Sequence, residues 1–126
     1  MKKKDKIVLS IKPEHVKNIL NGTKKFEYRT KAAKSDIHKI IIYETTPIKK
    51  IVAEAEVIDV LMMEPEDLWK ATNKFSGISK SFFNSYFKNR KVAYAYQIGN
   101  VKVYNYPKTL VEFGLKTPPQ SFAYVS

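Results

Sequence analysis

The stretch Asn21-Gly22-Thr23-Lys24-Lys25-Phe26-Glu27-Tyr28-Arg29 constrains the fold of this chain more than any other. Just upstream, Val16, Ile19 and Leu20 have the i, i+3, i+4 spacing of one apolar helix stripe. Pro13 suits the first helical turn, where its missing N–H costs nothing, and Glu14 suits the positive helix end. Gly22 is free to take the left-handed backbone that ends a helix. Directly after it, Phe26 and Tyr28 alternate with Lys25, Glu27 and Arg29, the period of two of a half-buried strand. A helix stop therefore feeds a strand whose rings face a core and whose charges face a groove or water. Strict alternation sets Lys24 on the opposite face from Glu27, so only a kink at the start of the strand brings Lys24, Glu27 and Arg29 together.

The rest of the pattern is mostly strand following strand. Residues 6–11 alternate as a first strand, and 39–43 are apolar at nearly every position, the mark of a strand covered on both sides. Residues 51–58 alternate with acids outward, and the alternation breaks over 60–63, where a bulge or strand end is expected. Glu64-Pro65-Glu66-Asp67 has the chemistry of a helix start. Ser79 caps a further helix expected to reach about Arg90, with Phe82, Phe83, Tyr86 and Phe87 as one aromatic stripe read as core. Residues 91–98 and 101–106 read as a hairpin turning at Gly99-Asn100. A short helical turn over 109–114 and a last strand over 121–125 complete the chain. Five to seven short, mixed strands with two or three short helices predict an α+β open β-barrel, in one domain over residues 1–126.

Charge is distributed unevenly along the chain. The formal net charge is +11, yet residues 44–67 carry seven acids against two lysines, while 68–111 carry eight Lys/Arg and no acid. Residues 1–31 carry ten Lys/Arg against three acids. Two basic segments thus flank an acidic one, and side by side they form a patch that attracts phosphates. The alternative is a lysine-rich surface that serves solubility alone. Without cysteine there is no disulfide framework and no thiolate ligand or nucleophile, which suits a reducing cytoplasm. No apolar run approaches the roughly 20 residues of a membrane span. The basic start, Met1 to Lys6, is followed by too short an apolar stretch for a signal peptide. His15 and His38 stand apart from other ligand types and read as structural or surface residues, so neither a metal nor a cofactor is expected.

The spacing Gly22-x-Lys24-x-x-Glu27-x-Arg29 resembles the G-x-K-x-x-E-x-R signature of the ASCH domain family, within the PUA-like superfamily. Leu9-Ser10-Ile11-Lys12-Pro13, Ile42-Tyr43-Glu44-Thr45-Thr46-Pro47, Arg90-Lys91-Val92-Ala93-Tyr94-Ala95-Tyr96 and Pro118-Pro119-Gln120-Ser121-Phe122 are similar to the family too, in order along the chain. The resemblance implies a PUA-like pseudobarrel, a groove lined by the motif, and RNA or a nucleotide-containing ligand as partner. Some small relatives look like amidohydrolases of N4-acylated cytidine that use lysine, threonine and glutamate; at the threonine's place this chain carries Glu27. A second carboxylate is then sought among Glu64, Glu66 and Asp67. Other relatives are assigned ribonuclease activity.

The residues themselves permit several roles. Lys24 is a point charge suited to a phosphate or to polarising a carbonyl. Glu27 can accept from a base's exocyclic amine, or act as general base if burial raises its pKa. Arg29 can hold that carboxylate or fork onto phosphate. Around this floor, Lys12, Tyr43, Thr45, Lys80, Arg90 and Lys91 are the expected walls, with Lys31 and Lys34 in reach from a polar loop. Tyr43 is either a stacking ring or a core tyrosine. Binding through this groove and hydrolysis by Lys24, Glu27 and Arg29 are the two readings to separate.

Overall fold

The protein is described from a computed structural model that covers residues 5–34 and 36–126; the basic start at Met1 to Lys4, and Ser35, lie outside the described residues. Six strands form one mixed sheet: β1 Lys6–Ile11, β2 Phe26–Arg29, β3 Lys39–Glu44, β4 Lys50–Met63, β5 Ala93–Lys108 and β6 Phe122–Val125. Three helices, α1 Pro13–Leu20, α2 Pro65–Thr72 and α3 Lys80–Tyr86, punctuate them. The order across the sheet is β2-β5-β4-β3-β1-β6. Only β1 and β3 run parallel; every other neighbouring pair is antiparallel. The arrangement is α+β and barrel-like but open, because the edge strands β2 and β6 do not pair with each other.

Alternation along the strands sorts the core into three packed groups. Ile7, Leu9 and Ile11 of β1 join Ile40 and Ile42 of β3, and these pack with Val16 and Ile19 of α1 and with Tyr96. The intervening residues Val8, Ile41 and Tyr43 point the other way, against Ile51 and Val125. Across the sheet, Tyr28, Ala93 and Ala95 meet Leu68 of α2 and Phe83 and Phe87 of α3. The alanines let these helices approach the sheet closely, which is the use of small residues on a covered strand face.

Two expectations are corrected. No hairpin forms at Gly99-Asn100: β5 runs unbroken from Ala93 to Lys108. Gly99 serves another purpose, since a Cβ there would lie 3.1 Å from Ile58 Cγ1 and 3.3 Å from Glu56 Cβ. The pairing of β4 with β5 is irregular at this level, with register shifts between Ala55/Val57 and Val57/Asp59, and a glycine there leaves room for the close approach of Ile58 and Glu56. β4 ends at Met63, within the stretch 60–63 where a bulge or strand end is expected, and its register shifts lie upstream, between Ile51 and Asp59. The last helix is also shorter than its aromatic pattern implies, ending at Tyr86.

Candidate functional site

The turn that follows α1 builds the site. Gly22 takes φ +85 and ends the helix, and Lys24 follows in irregular backbone before β2 begins at Phe26. Lys24 is therefore not bound by the strand's alternation, and its amine reaches the same recess as Glu27. The kink that alternation demanded is present. A second segment fixes it there: the turn after α2 docks on residues 24 and 25, with the Lys25 N–H donating to Phe75 O at 2.8 Å. The Lys24 amine donates to Ser76 O at 2.7 Å. Gly77, at φ +68, lies flat against the lysine stem, where a Cβ would sit 2.5 Å from Lys24 Cβ.

The result is a cavity of about 220 Å³ lined by Ser10, Lys12, His15, Lys24, Glu27, Tyr28, Arg29, Ile78, Phe82 and Tyr86. Its floor is a chain of charges. Arg29 donates through Nε and Nη2 to Glu27 Oε2, at 3.0 and 2.8 Å. Glu27 Oε1 lies 4.0 Å from Lys24 Nζ. Lys24 is 2% exposed and Glu27 5%, so these charges act in a medium that screens them poorly. Burial pulls the Lys24 amine below its ordinary pKa, and Glu27 opposes that fall. Three cations face one carboxylate, which leaves the lining positive.

The supporting bonds are specific. Arg29 Nη2 also donates to Ser10 O at 2.8 Å, spanning the open seam between β2 and β1. The Tyr28 hydroxyl lies 2.7 Å from Thr72 Oγ1, and the Thr72 hydroxyl donates to Leu68 O at 2.6 Å. With that proton committed, Tyr28 is the donor to Thr72, which ties β2 to α2. Its pKa is pushed up to about 12, chiefly by burial, so it stays protonated.

Of the residues expected around the floor, the structure brings Lys12 to the cavity with Lys24, Glu27 and Arg29. It does not bring the others. Tyr43 is buried against Val8, Ile41, Ile51 and Val125, so its ring is not free to stack on a base. Thr45 sits beyond the end of β3, its N–H bonded to Ile11 O. Lys80, Arg90 and Lys91 are exposed outside the lining, as are Lys31 and Lys34. Glu64, Glu66 and Asp67 stand exposed at the start of α2 and supply the cavity with no second carboxylate. The acid-poor second segment contributes rings to the site instead of cations: Phe82 and Tyr86 of α3 line it.

His15 is the other contributor that the sequence did not single out. It lies on the cavity face of α1, edge-on to Phe82 with ring centroids 5.8 Å apart, and its Nδ1 is buried without a hydrogen-bond partner. Burial pulls its pKa below 6.5, with Glu27 raising it and Lys24 lowering it. A folded pKa below the unfolded one means that the unfolded chain takes up the proton first as pH falls. Stability should thus drop as pH falls through 6.5, and His15→Gln should flatten that part of a thermal-midpoint profile. An unchanged profile in the variant would show that this imidazole is not the group responsible.

Among the described residues no group of three or more His, Cys, Asp or Glu could hold a metal ion, and no helix is long and apolar enough to cross a membrane. A model of the ASCH domain matches residues 9–105. The α subunit of ATP synthase from Ureaplasma parvum is 25% identical over 123 residues, which are 97% of this chain and 15% of that protein. An ASCH domain-containing ribonuclease from Zymomonas mobilis is 27% identical over 90 residues, 71% of this chain and 61% of that protein. The chain spans less than two thirds of the length of either relative. The crystal structure of ASCH from Zymomonas mobilis superposes with a TM-score of 0.85 at 24% identity, over 98% of this chain and 90% of that one.

Proposed function

This chain belongs to the ASCH domain family, and on that premise we propose that it binds RNA, or another nucleotide-bearing ligand, one unpaired nucleotide at a time in the cavity between β2, α1 and α3. The observation that carries this reading is the convergence of Lys12, Lys24 and Arg29 with one carboxylate and a half-apolar wall on about 220 Å³. That is smaller than the cavities of roughly 300–1,000 Å³ that take drug-sized ligands. It suits a single splayed nucleotide, and it excludes a duplex. Cations on such a floor neutralise phosphate, and the free Glu27 Oε1 accepts from an amino or imino group of a base.

The test is fluorescence anisotropy of a labelled single-stranded RNA across a salt titration. Each phosphate contact contributes a slope of roughly −0.7 in log K against log salt for single strands, so the one or two phosphates that flank a bound nucleotide predict about −0.7 to −1.4. Retention that stays flat with salt, or no retention at low salt, overturns the reading.

A second reading, hydrolysis, is favoured by one observation: the Lys24 amine is buried, held below its ordinary pKa and set beside a carboxylate. A cation closer to neutrality is a better proton donor to a leaving oxygen, with Glu27 as general base and Arg29 facing the developing charge. A relative in Zymomonas mobilis is named a ribonuclease. Incubation with labelled RNA and with N4-acetylcytidine separates the readings. Turnover that Glu27→Gln abolishes while RNA is still bound establishes the enzyme; intact substrates after prolonged incubation leave the binding module.

A further inference from the structure

Resting on the nucleotide reading, we propose that Phe82 and Tyr86 form the platform on which the ligand's base stacks, so that the cavity selects a base-bearing unit over a bare phosphate or a sugar phosphate. The four rings of α3 do not share one fate. Phe83 and Phe87 are 1% and 3% exposed and belong to the core with Tyr28 and Leu68. Phe82 and Tyr86, one helical step away in azimuth, are 44% and 38% exposed and line the cavity. The helix is anchored by one pair and presents the other.

The presented rings are stacked on one another at the side of the cavity. The two ring planes are parallel to within 8°, with centroids 6.4 Å apart. Each is held by a further ring: Tyr86 packs edge-on against Phe87 of the core at 4.8 Å, and Phe82 meets the cavity-lining His15 ring at 5.8 Å and 62°. Their exposed faces carry a hydration cost, and they share the cavity lining with Lys24, Glu27 and Arg29. A ligand that satisfies both must be an anion that bears a flat ring. Among small ligands that description fits a nucleotide, because base faces stack on aromatic side chains irrespective of sequence. An inorganic anion would use the floor and leave the wall wet.

The experiment compares Phe82→Leu with the unaltered protein on a labelled single-stranded RNA and on an abasic oligomer of the same length. Leucine keeps apolar volume at a half-exposed position, and thermal midpoints confirm that the fold is retained. Phe82→Leu is expected to weaken the intact RNA about five- to hundred-fold, to leave the abasic strand unchanged and to leave the salt slope unaltered. Phe82→Trp, which restores a larger π-face, is expected to recover the affinity. Equal loss on both strands, no loss on either, or failure of tryptophan to recover binding each overturns the platform while salt-dependent binding still upholds the nucleotide reading. A protein that retains neither strand at low salt overturns both.

Discussion

Lys24→Met is expected to weaken RNA binding roughly ten- to hundred-fold while leaving the thermal midpoint where it is or raising it. The two halves of that expectation have one origin. The amine is 2% exposed, and burial holds its pKa below 10.5 despite Glu27 nearby. A folded pKa below the unfolded one means that, at neutral pH, keeping this ammonium charged inside the protein costs stability. Methionine fills the same space without that cost. What it forfeits is the bond to Ser76 O and the 4.0 Å approach to Glu27, and Glu27 remains held by two bonds from Arg29. Removing one partner of a buried ion pair is costly because it strands the other charge, and that cost does not arise here because Arg29 still holds Glu27. The ligand, by contrast, loses a charge-assisted contact in a poorly screened recess, and the salt slope should shrink by about 0.7. A midpoint that falls by many degrees would assign Lys24 a structural role; unchanged affinity with unchanged slope would remove it from the binding floor.

The largest stability effect is expected at Gly77. Gly22 and Gly77 both have positive φ, at +85 and +68, so alanine at either position carries backbone strain of about 1–2 kcal/mol. They differ in their surroundings. Nothing lies within 4 Å of a Cβ placed at Gly22, whereas at Gly77 it would meet the Cβ, Cγ and Cδ of Lys24 at 2.5, 2.8 and 3.0 Å. These atoms are the root of the lysine, close to the main chain, and cannot swing clear. Overpacking of this kind adds about 1–3 kcal/mol. Chemical denaturation should therefore give roughly 2–5 kcal/mol lost in Gly77→Ala against 1–2 in Gly22→Ala, and only the former should displace the Lys24 amine and weaken RNA binding. Equal losses in the two variants would show that the close packing between Gly77 and Lys24 carries no energetic weight.

Several features of this architecture were readable along the chain, and the ones that were not share a cause. Gly22 announced the helix stop, while alternation in residues 6–11 and 26–29 and the unbroken apolar run in 39–43 placed the strands and their covered faces, because all depend on neighbours a few residues away. The relation of Lys24 to Glu27 was not readable, since it depends on Ser76 and Gly77, some fifty positions downstream, pressing the lysine out of register. The same holds for the aromatic residues of α3. A spacing of i, i+1, i+4, i+5 reads as one broad stripe, yet it divides into a buried pair and a presented pair once β2 and α2 cover only one side. Gly99-Asn100 carries turn chemistry, but pairing across the sheet decided the outcome: the glycine sits in close contact with Ile58 and Glu56 of β4 inside an unbroken strand. Lys80, Arg90 and Lys91 are expected as walls because all are basic, and charge along a sequence does not report direction in space.

The bond from Arg29 to Ser10 O has a consequence for motion. Strands β2 and β6 leave the sheet unclosed, and this guanidinium, in the floor of the cavity, fastens β2 on one side of the gap to the main chain of β1, the neighbour of β6, on the other. The same group ties the two sides together and faces the proposed ligand. An anion that took it from Ser10 O would release β2 from β1, so binding of that kind would be linked to the width of the gap.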